Sequence, residues 1–265
     1  MSAENDQERG RRHYRRTLFD GVAQLYAASR RGYPAELVEF VVTTAGLDAG
    51  STVLEVGCGP GQLTEHLARY GFDITAIDIG PSMVAAARRR LAGSAVSFQV
   101  TSFEDFTAAE ASFDLICSGT AFHWVDPEVK FSKPARLLRP GAWLALLATE
   151  ERFDDPLGAA LSRMWAARSD DTRARTRPAE AEIIADSGWF DEPVERTDAQ
   201  RMVLPTETVI GVENTRAIVL SWPEDVRQSF TDELRHYLRS HTEVHLTQLT
   251  SLTMARVLEH SCGTS

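Results

Sequence analysis

Val53-Leu54-Glu55-Val56-Gly57-Cys58-Gly59-Pro60-Gly61 is a short apolar run that places an acid two positions before three alternating glycines. A helix-like segment, Gln62 to Tyr70, follows at once. The pattern predicts a buried strand, a turn that needs residues without Cβ atoms, and a helix N-terminus whose free N–H groups face a ligand. Such a turn lets a ligand lie against bare backbone and favours an anionic group there. Glu55 beside it suits a ligand that also carries a positive charge. A zwitterion fits this pair of features better than a pyrophosphate.

The next acid sharpens the reading. Phe72-Asp73-Ile74-Thr75-Ala76-Ile77 reads as a second strand, closed by Asp78. An acid at the tip of the second strand of a βαβ unit is placed to accept ribose hydroxyls. Asp78 follows Gly57 by about 20 positions, the separation that geometry requires. A dinucleotide fingerprint, G-x-G-x-x-G, would need glycine at position 62, where this chain has Gln62, and it has no use for Glu55.

Glu55-x-Gly57-x-Gly59-x-Gly61 followed by Ala76-Ile77-Asp78 resembles motifs I and II of class I S-adenosylmethionine-dependent methyltransferases. The resemblance implies that Gly57, Gly59 and Gly61 seat the methionine portion of S-adenosylmethionine and that Glu55 meets its amino group. Asp78, with Ile79 beside it, would take the ribose. Ser102-Phe103-Glu104-Asp105 follows the third strand, where the family holds adenine; Phe103 would cover its face and Ser102 its edge. Ser118 begins the segment after the fourth strand, Ser118-Gly119-Thr120-Ala121-Phe122-His123-Trp124, and is a further cofactor candidate. Its Phe-His-Trp resembles the trans-aconitate-type small-molecule branch, with His123 as a catalytic candidate and Trp124 facing the acceptor. Arg30-Arg31-Gly32-Tyr33-Pro34 resembles the same branch, in which a tyrosine and an arginine close over the cofactor. Tyr26 and Arg30 match those positions, and Arg31 stands where proline is usual.

Segments alternate strand and helix from about position 52 to 148, the pattern of a doubly wound parallel sheet. Strands are expected at 52–56, 72–77, 96–100, 113–117 and 142–148. Helices are expected from Pro81, with Met83, Val84, Ala87 and Leu91 on one face, and over Pro127 to Leu138. After Thr149 the alternation breaks into mainly helical material, with strands again at 194–204 and 244–257. The expected fold is α/β: a Rossmann-like doubly wound seven-stranded sheet, its last strand antiparallel, with a helical cap. The expected divisions are a helical lid over 1–34, a cofactor-binding core over 35–150, and a cap with the last two strands over 151–265.

A net charge of −10 disfavours a broad phosphate-backbone footprint, so no nucleic-acid partner is expected. No run approaches the length of a membrane span, and the polar start lacks a secretion signal, so the expected location is cytoplasmic. Cys58, Cys117 and Cys262 are odd in number and widely spaced, which reads as reduced thiols. The basic residues are arginine except for Lys130 and Lys133.

The expected acceptor is a small molecule. One reading is C-methylation of an isoprenoid diphosphate, such as geranyl diphosphate, in specialised metabolism. Alkene methylation leaves a cation, which requires an aromatic face and a base. Trp222 would be that face. Glu182, seven residues before Trp189 and so on one helical stripe with it, would be a base shielded from water. Arg173 and Arg175, within a ladder from Arg168 to Arg177, would meet the diphosphate, with Mg²⁺ as a possible helper. The alternative is O-methylation of a carboxylate held by arginines, which needs no base, or methylation of another natural product.

Overall fold

The computed structural model describes residues 10, 14–154, 156–168 and 180–258. Seven strands form one sheet: β1 (Thr52–Val56), β2 (Asp73–Asp78), β3 (Ser97–Val100), β4 (Phe113–Gly119), β5 (Leu138–Phe153), β6 (Val194–Pro205) and β7 (Glu243–Arg256). Their order is β3-β2-β1-β4-β5-β7-β6, and the last strand is antiparallel. The first five pair in parallel, with Val53 opposite both Ile74 and Leu115. This is the α/β arrangement expected from the sequence.

Period-two geometry sorts the central strands into two layers. Leu54, Ile77, Ile116 and Leu144 belong to one buried cluster. Their immediate neighbours Val53, Ala76, Leu115 and Ala145 belong to the other. Strands that bury both faces read as nearly continuous apolar runs, which is why β1 and β4 were so visible in the sequence. Helices α1 (Ala23–Ser29), α2 (Ala35–Ala45), α3 (Gln62–Leu67) and α4 (Pro81–Arg90) precede β3. Proline opens α4, while Met83, Val84 and Ala87 are its buried residues.

Two sequence expectations change. The helix expected over 127–138 is α5, Ser132–Leu137. The chain does not turn out of the sheet at Pro140-Gly141: β5 begins at Leu138 and absorbs Arg139 to Ala142 as a bulge. Phe113 pairs with Leu138, yet Leu115 pairs with Trp143. Gly141 makes this possible at φ +75°.

The chain divides into two compact units. One holds residues 32–148, 178–197 and 250–265; the other holds 1–31, 149–177 and 198–249. The first carries both layers just described, together with α7 (Glu180–Asp186). The second has its own core, in which Leu161, Val209, Trp222, Phe230 and Leu234 are buried. Its helices include α6 (Leu157–Ala166), α8 (Thr206–Asn214), α9 (Ala217–Leu220) and α10 (Glu224–Leu238). The last third of the chain is thus shared between the units, because residues 178–197 and 250–258 pack with the first.

Candidate active site

The turn after β1 is built by backbone. Gly57 and Cys58 both donate to the Ile77 carbonyl, at 2.8 and 3.0 Å, which fastens the turn to β2. Gly57 has φ +71°, and a Cβ there would collide with Ala121, so the segment after β4 lies directly against it. Gly59, at φ +52°, is different: a Cβ on it would meet nothing within 4 Å. That is the bare, open backbone a ligand can approach. Gly61 caps α3 at φ +87°. Asp78 holds the arrangement from the neighbouring strand, accepting from Gly59 N–H at 2.9 Å and from Gly80 N–H at 2.8 Å. Ile79 beside it is half-buried.

Glu55 is only 1% exposed, and its Oε2 has no hydrogen-bond partner. Burial pushes its carboxyl up to about 8, with Asp78 adding to the rise and the Thr64 side chain opposing it. Gln62 Nε2, also buried, lacks a partner, and the buried Thr64 Oγ1 has none beyond its interaction with the Glu55 carboxyl. A buried polar group without a partner is costly and uncommon in folded proteins. One acceptor, one hydroxyl and one amide donor, together with open backbone at Gly59, fit the zwitterionic end of an amino-acid ligand. Gln62 and Thr64 were not legible as site candidates in the sequence because neither belongs to a recognisable spacing; only their burial singles them out. The Cys58 thiol is raised well above its usual range by burial, then by Glu55 and Asp78, which disfavours the thiolate.

After β3, Thr101 N–H donates to the Asp78 carbonyl, so the Ser102–Phe106 turn starts beside Asp78. Ser102 Oγ donates to Asp105 Oδ2 at 2.7 Å and accepts from Asp105 N–H. Phe103 is 3% exposed and packs near Phe122, which corrects the expectation that its ring lies open over a ligand. An apolar ring at a strand end gains more by joining the core.

After β4, Ser118 donates to the Val56 carbonyl at 2.7 Å and is buried, so it clasps β1 to β4 rather than facing outward. Thr120 has φ +55°, a strained conformation for a β-branched residue. Its Oγ1 lies 3.1 Å from the Tyr33 hydroxyl, and Gly119 has no room for a Cβ because Tyr33 presses on it. Tyr33 and Thr120 were not singled out from the sequence. His123 and Trp124 sit in the short 3-10 turn that follows, half-buried, with ring centroids 4.8 Å apart.

Several acceptor candidates move. Glu182 is exposed, while Ile184 on the same helix is fully buried. Glu182 and Trp189 do not share a helical stripe, because α7 ends at Asp186, before Trp189. Trp222 is 9% exposed and packs edge-on against Phe230, a core side chain of the second unit. Also in that unit, Tyr26 lies edge-on to Phe19, and the Arg30 guanidinium lies 5.6 Å from its ring. Arg30 donates to both oxygens of Glu151, to Thr215 and to the Val212 carbonyl. Its donors therefore serve a protein network. Arg168 pairs with Glu233 at 2.6 Å. Arg173 and Arg175 lie outside the described residues. Among the described residues no group of three or more His, Cys, Asp or Glu side chains is arranged to hold a metal, so Mg²⁺ finds no support. No described helix is long and apolar enough to cross a membrane.

Comparison with known proteins agrees with this geometry. Residues 54–146, within the first unit, match the methyltransferase domain family. An uncharacterized methyltransferase of Mycobacterium tuberculosis is 26% identical over 227 residues, 84% of this chain and 86% of that protein. A ubiquinone biosynthesis O-methyltransferase of Xanthomonas euvesicatoria is 42% identical over 113 residues, which is 41% of this chain and 47% of that protein. The structure of a putative type II methyltransferase from Anaeromyxobacter dehalogenans shares the fold, with a TM-score of 0.64 and 22% identity, covering 87% of this chain and 99% of that one. The methyltransferase-domain match, the relatives and the shared fold support an S-adenosylmethionine-dependent methyltransferase enzyme.

Proposed function

Starting from that class, we propose that the enzyme methylates a hydroxyl oxygen of a small molecule, with His123 taking the proton. The donor side of the reading rests on one observation: the buried Glu55 Oε2 has no partner beside a glycine turn that is open at Gly59. S-adenosylmethionine supplies, when bound, an activated methyl group on a sulfonium. Glu55, Gln62 and Thr64 hold its amino-acid end. Asp78 carries the ribose while keeping Gly59 and Gly80 in place, and the Ser102–Phe106 turn borders the adenine.

The acceptor side rests on His123. It lies just beyond Ala121, which packs on Gly57, and so belongs to the carboxyl end of the sheet where ligands of this fold class bind. An imidazole there can accept the acceptor O–H proton as the oxygen–methyl bond forms and the sulfur–methyl bond breaks. Alignment of the two reactants supplies on the order of 7–11 kcal/mol of the barrier. The prenyl-diphosphate reading is not favoured, because exposed Glu182 is a poor shielded base and buried Trp222 presents little open face. Carboxylate methylation is less favoured, because Arg30 and Arg216 engage Glu151 and Arg168 engages Glu233.

Labelled cofactor and a panel of phenols, alcohols, carboxylic acids, amines and prenyl diphosphates test the reading. A methyl ether is the expected product, and His123→Ala should slow its formation by roughly 10²–10⁴-fold, the usual worth of a positioned base. A methylated prenyl diphosphate, or an unimpaired His123→Ala enzyme, would overturn it.

A further inference from the structure

The chain uses arginine for nearly every cation, and one of its two lysines is buried where arginine geometry would fail. Lys133, on α5, donates to three carbonyls of one turn: Phe103 at 2.6 Å, Glu104 at 2.9 Å and Phe106 at 2.6 Å. Its ammonium also lies 5.2 Å from the centre of the Phe103 ring. A single nitrogen with three diverging N–H bonds can satisfy three carbonyls that surround it, whereas a planar guanidinium fork cannot. The same turn is tied to the nucleoside side of the site by Thr101 N–H on the Asp78 carbonyl.

We propose that Lys133 is a positioning residue for the adenine: its ammonium pins the 102–106 turn in the shape that receives the base. The proposal rests on the reading of Asp78 as the ribose acceptor. With the methionine end at the β1 turn and the ribose at β2, the base extends toward the end of β3, where this turn begins. Phe103 does not contribute an open ring; it contributes a carbonyl to the pin and its bulk to the core. Without the ammonium, three carbonyls would diverge or seek water, and the turn would sample many shapes.

Calorimetric binding of S-adenosylhomocysteine and of 5′-methylthioadenosine, which lacks the amino-acid end, tests the assignment on the full chain. Lys133→Met and Lys133→Arg should each weaken both ligands by the same factor, about tenfold or more, since bonds to a charged group are among the stronger ones. The arginine variant keeps the charge, so its failure to rescue assigns the effect to the three convergent donors; it also carries the test should the methionine variant not fold. Glu55→Gln should weaken S-adenosylhomocysteine alone. In turnover, the Lys133 variants should raise the cofactor KM and leave kcat close to wild type. A purely structural lysine would lower thermal stability and leave the affinities of the folded protein unchanged, and that result would overturn the proposal. Wild-type protein that binds neither ligand would instead overturn the cofactor reading itself.

Discussion

Two buried glutamates in separate parts of the molecule differ in whether the chain supplies them with a cation. Glu213, on α8, is fully buried, and Arg216 Nε lies 2.8 Å from its Oε1, although its Oε2, like that of Glu55, has no hydrogen-bond partner. Arg216 also reaches Glu151, which in turn receives Arg30, so two acids and two arginines of one unit close on each other. Burial raises Glu213 and Arg216 opposes the rise. Burial alone would lower Arg216, but Glu213 and Glu151 outweigh it and push it up. Glu55 is as buried, yet no arginine or lysine is among the influences on its carboxyl, which burial lifts to about 8. Where the chain supplies the cation, the acid is part of the scaffold. Where it does not, as at Glu55, the proposed reading has the cation arrive with the ligand, as the ammonium of the methionine end.

Breaking the scaffold side should have the largest effect. Arg216→Met leaves Glu213 buried without its partner and Glu151 with one arginine fewer. Removing one member of a buried pair costs about 3–5 kcal/mol. Denaturant titration should show that loss, and an unchanged midpoint would dissolve the contrast with Glu55.

Changing Glu55 should act in the opposite direction. Its folded-state value lies above the unfolded one, so its contribution is complete below about pH 4.5 and is lost as pH rises through about 8. Glu55→Gln removes that dependence and should stabilise the ligand-free protein relative to wild type by about 3 kcal/mol at neutral pH, with little difference at pH 4. Parallel melts at the two pH values check the sign.

Asp78→Ala should come next. It removes the proposed ribose acceptor and the anchors of Gly59 and Gly80, so S-adenosylhomocysteine should bind more weakly by at least about 1.5–3 kcal/mol, the worth of a hydrogen bond to a charged group. Asp78→Asn keeps one acceptor oxygen and should fall between. Glu182→Gln should have the smallest effect: an exposed side chain on α7 should leave turnover within about twofold and stability within about 0.5 kcal/mol. A collapse of activity would restore Glu182 as a base.

The sequence was most legible where chemistry and local geometry coincide. Glycines 57, 59 and 61 and the acid at Asp78 occupy the turn and strand tip that their spacing implied, because each is fixed by its own neighbours in the chain. The strands β1 and β4 were visible because both faces are buried. Legibility failed where a partner distant in sequence decides the outcome. Nothing near Arg30 announces Glu151, nothing near Lys133 announces three carbonyls of the preceding turn, and nothing near Trp222 announces Phe230. Glu182 failed for a different reason. A shared stripe with Trp189 requires a helix that reaches it, whereas α7 ends at Asp186 and Gly188, at φ +71°, lies beyond that end. The Gly141 bulge misled in the same way: a turn signal inside a long strand alters register without ending the strand.

The central claim is that Oε2 of Glu55, which has no hydrogen-bond partner, is completed by the cofactor's ammonium. Calorimetry of S-adenosylhomocysteine binding near pH 6.5, repeated in buffers of different ionisation enthalpy, counts the protons exchanged. Glu55 begins protonated there and becomes an anion beside the ammonium, so wild type should release close to one proton, and affinity should rise toward pH 8 before the ligand's own amine deprotonates. Glu55→Gln should bind more weakly and release none. Equal proton release by the two proteins would contradict the claim.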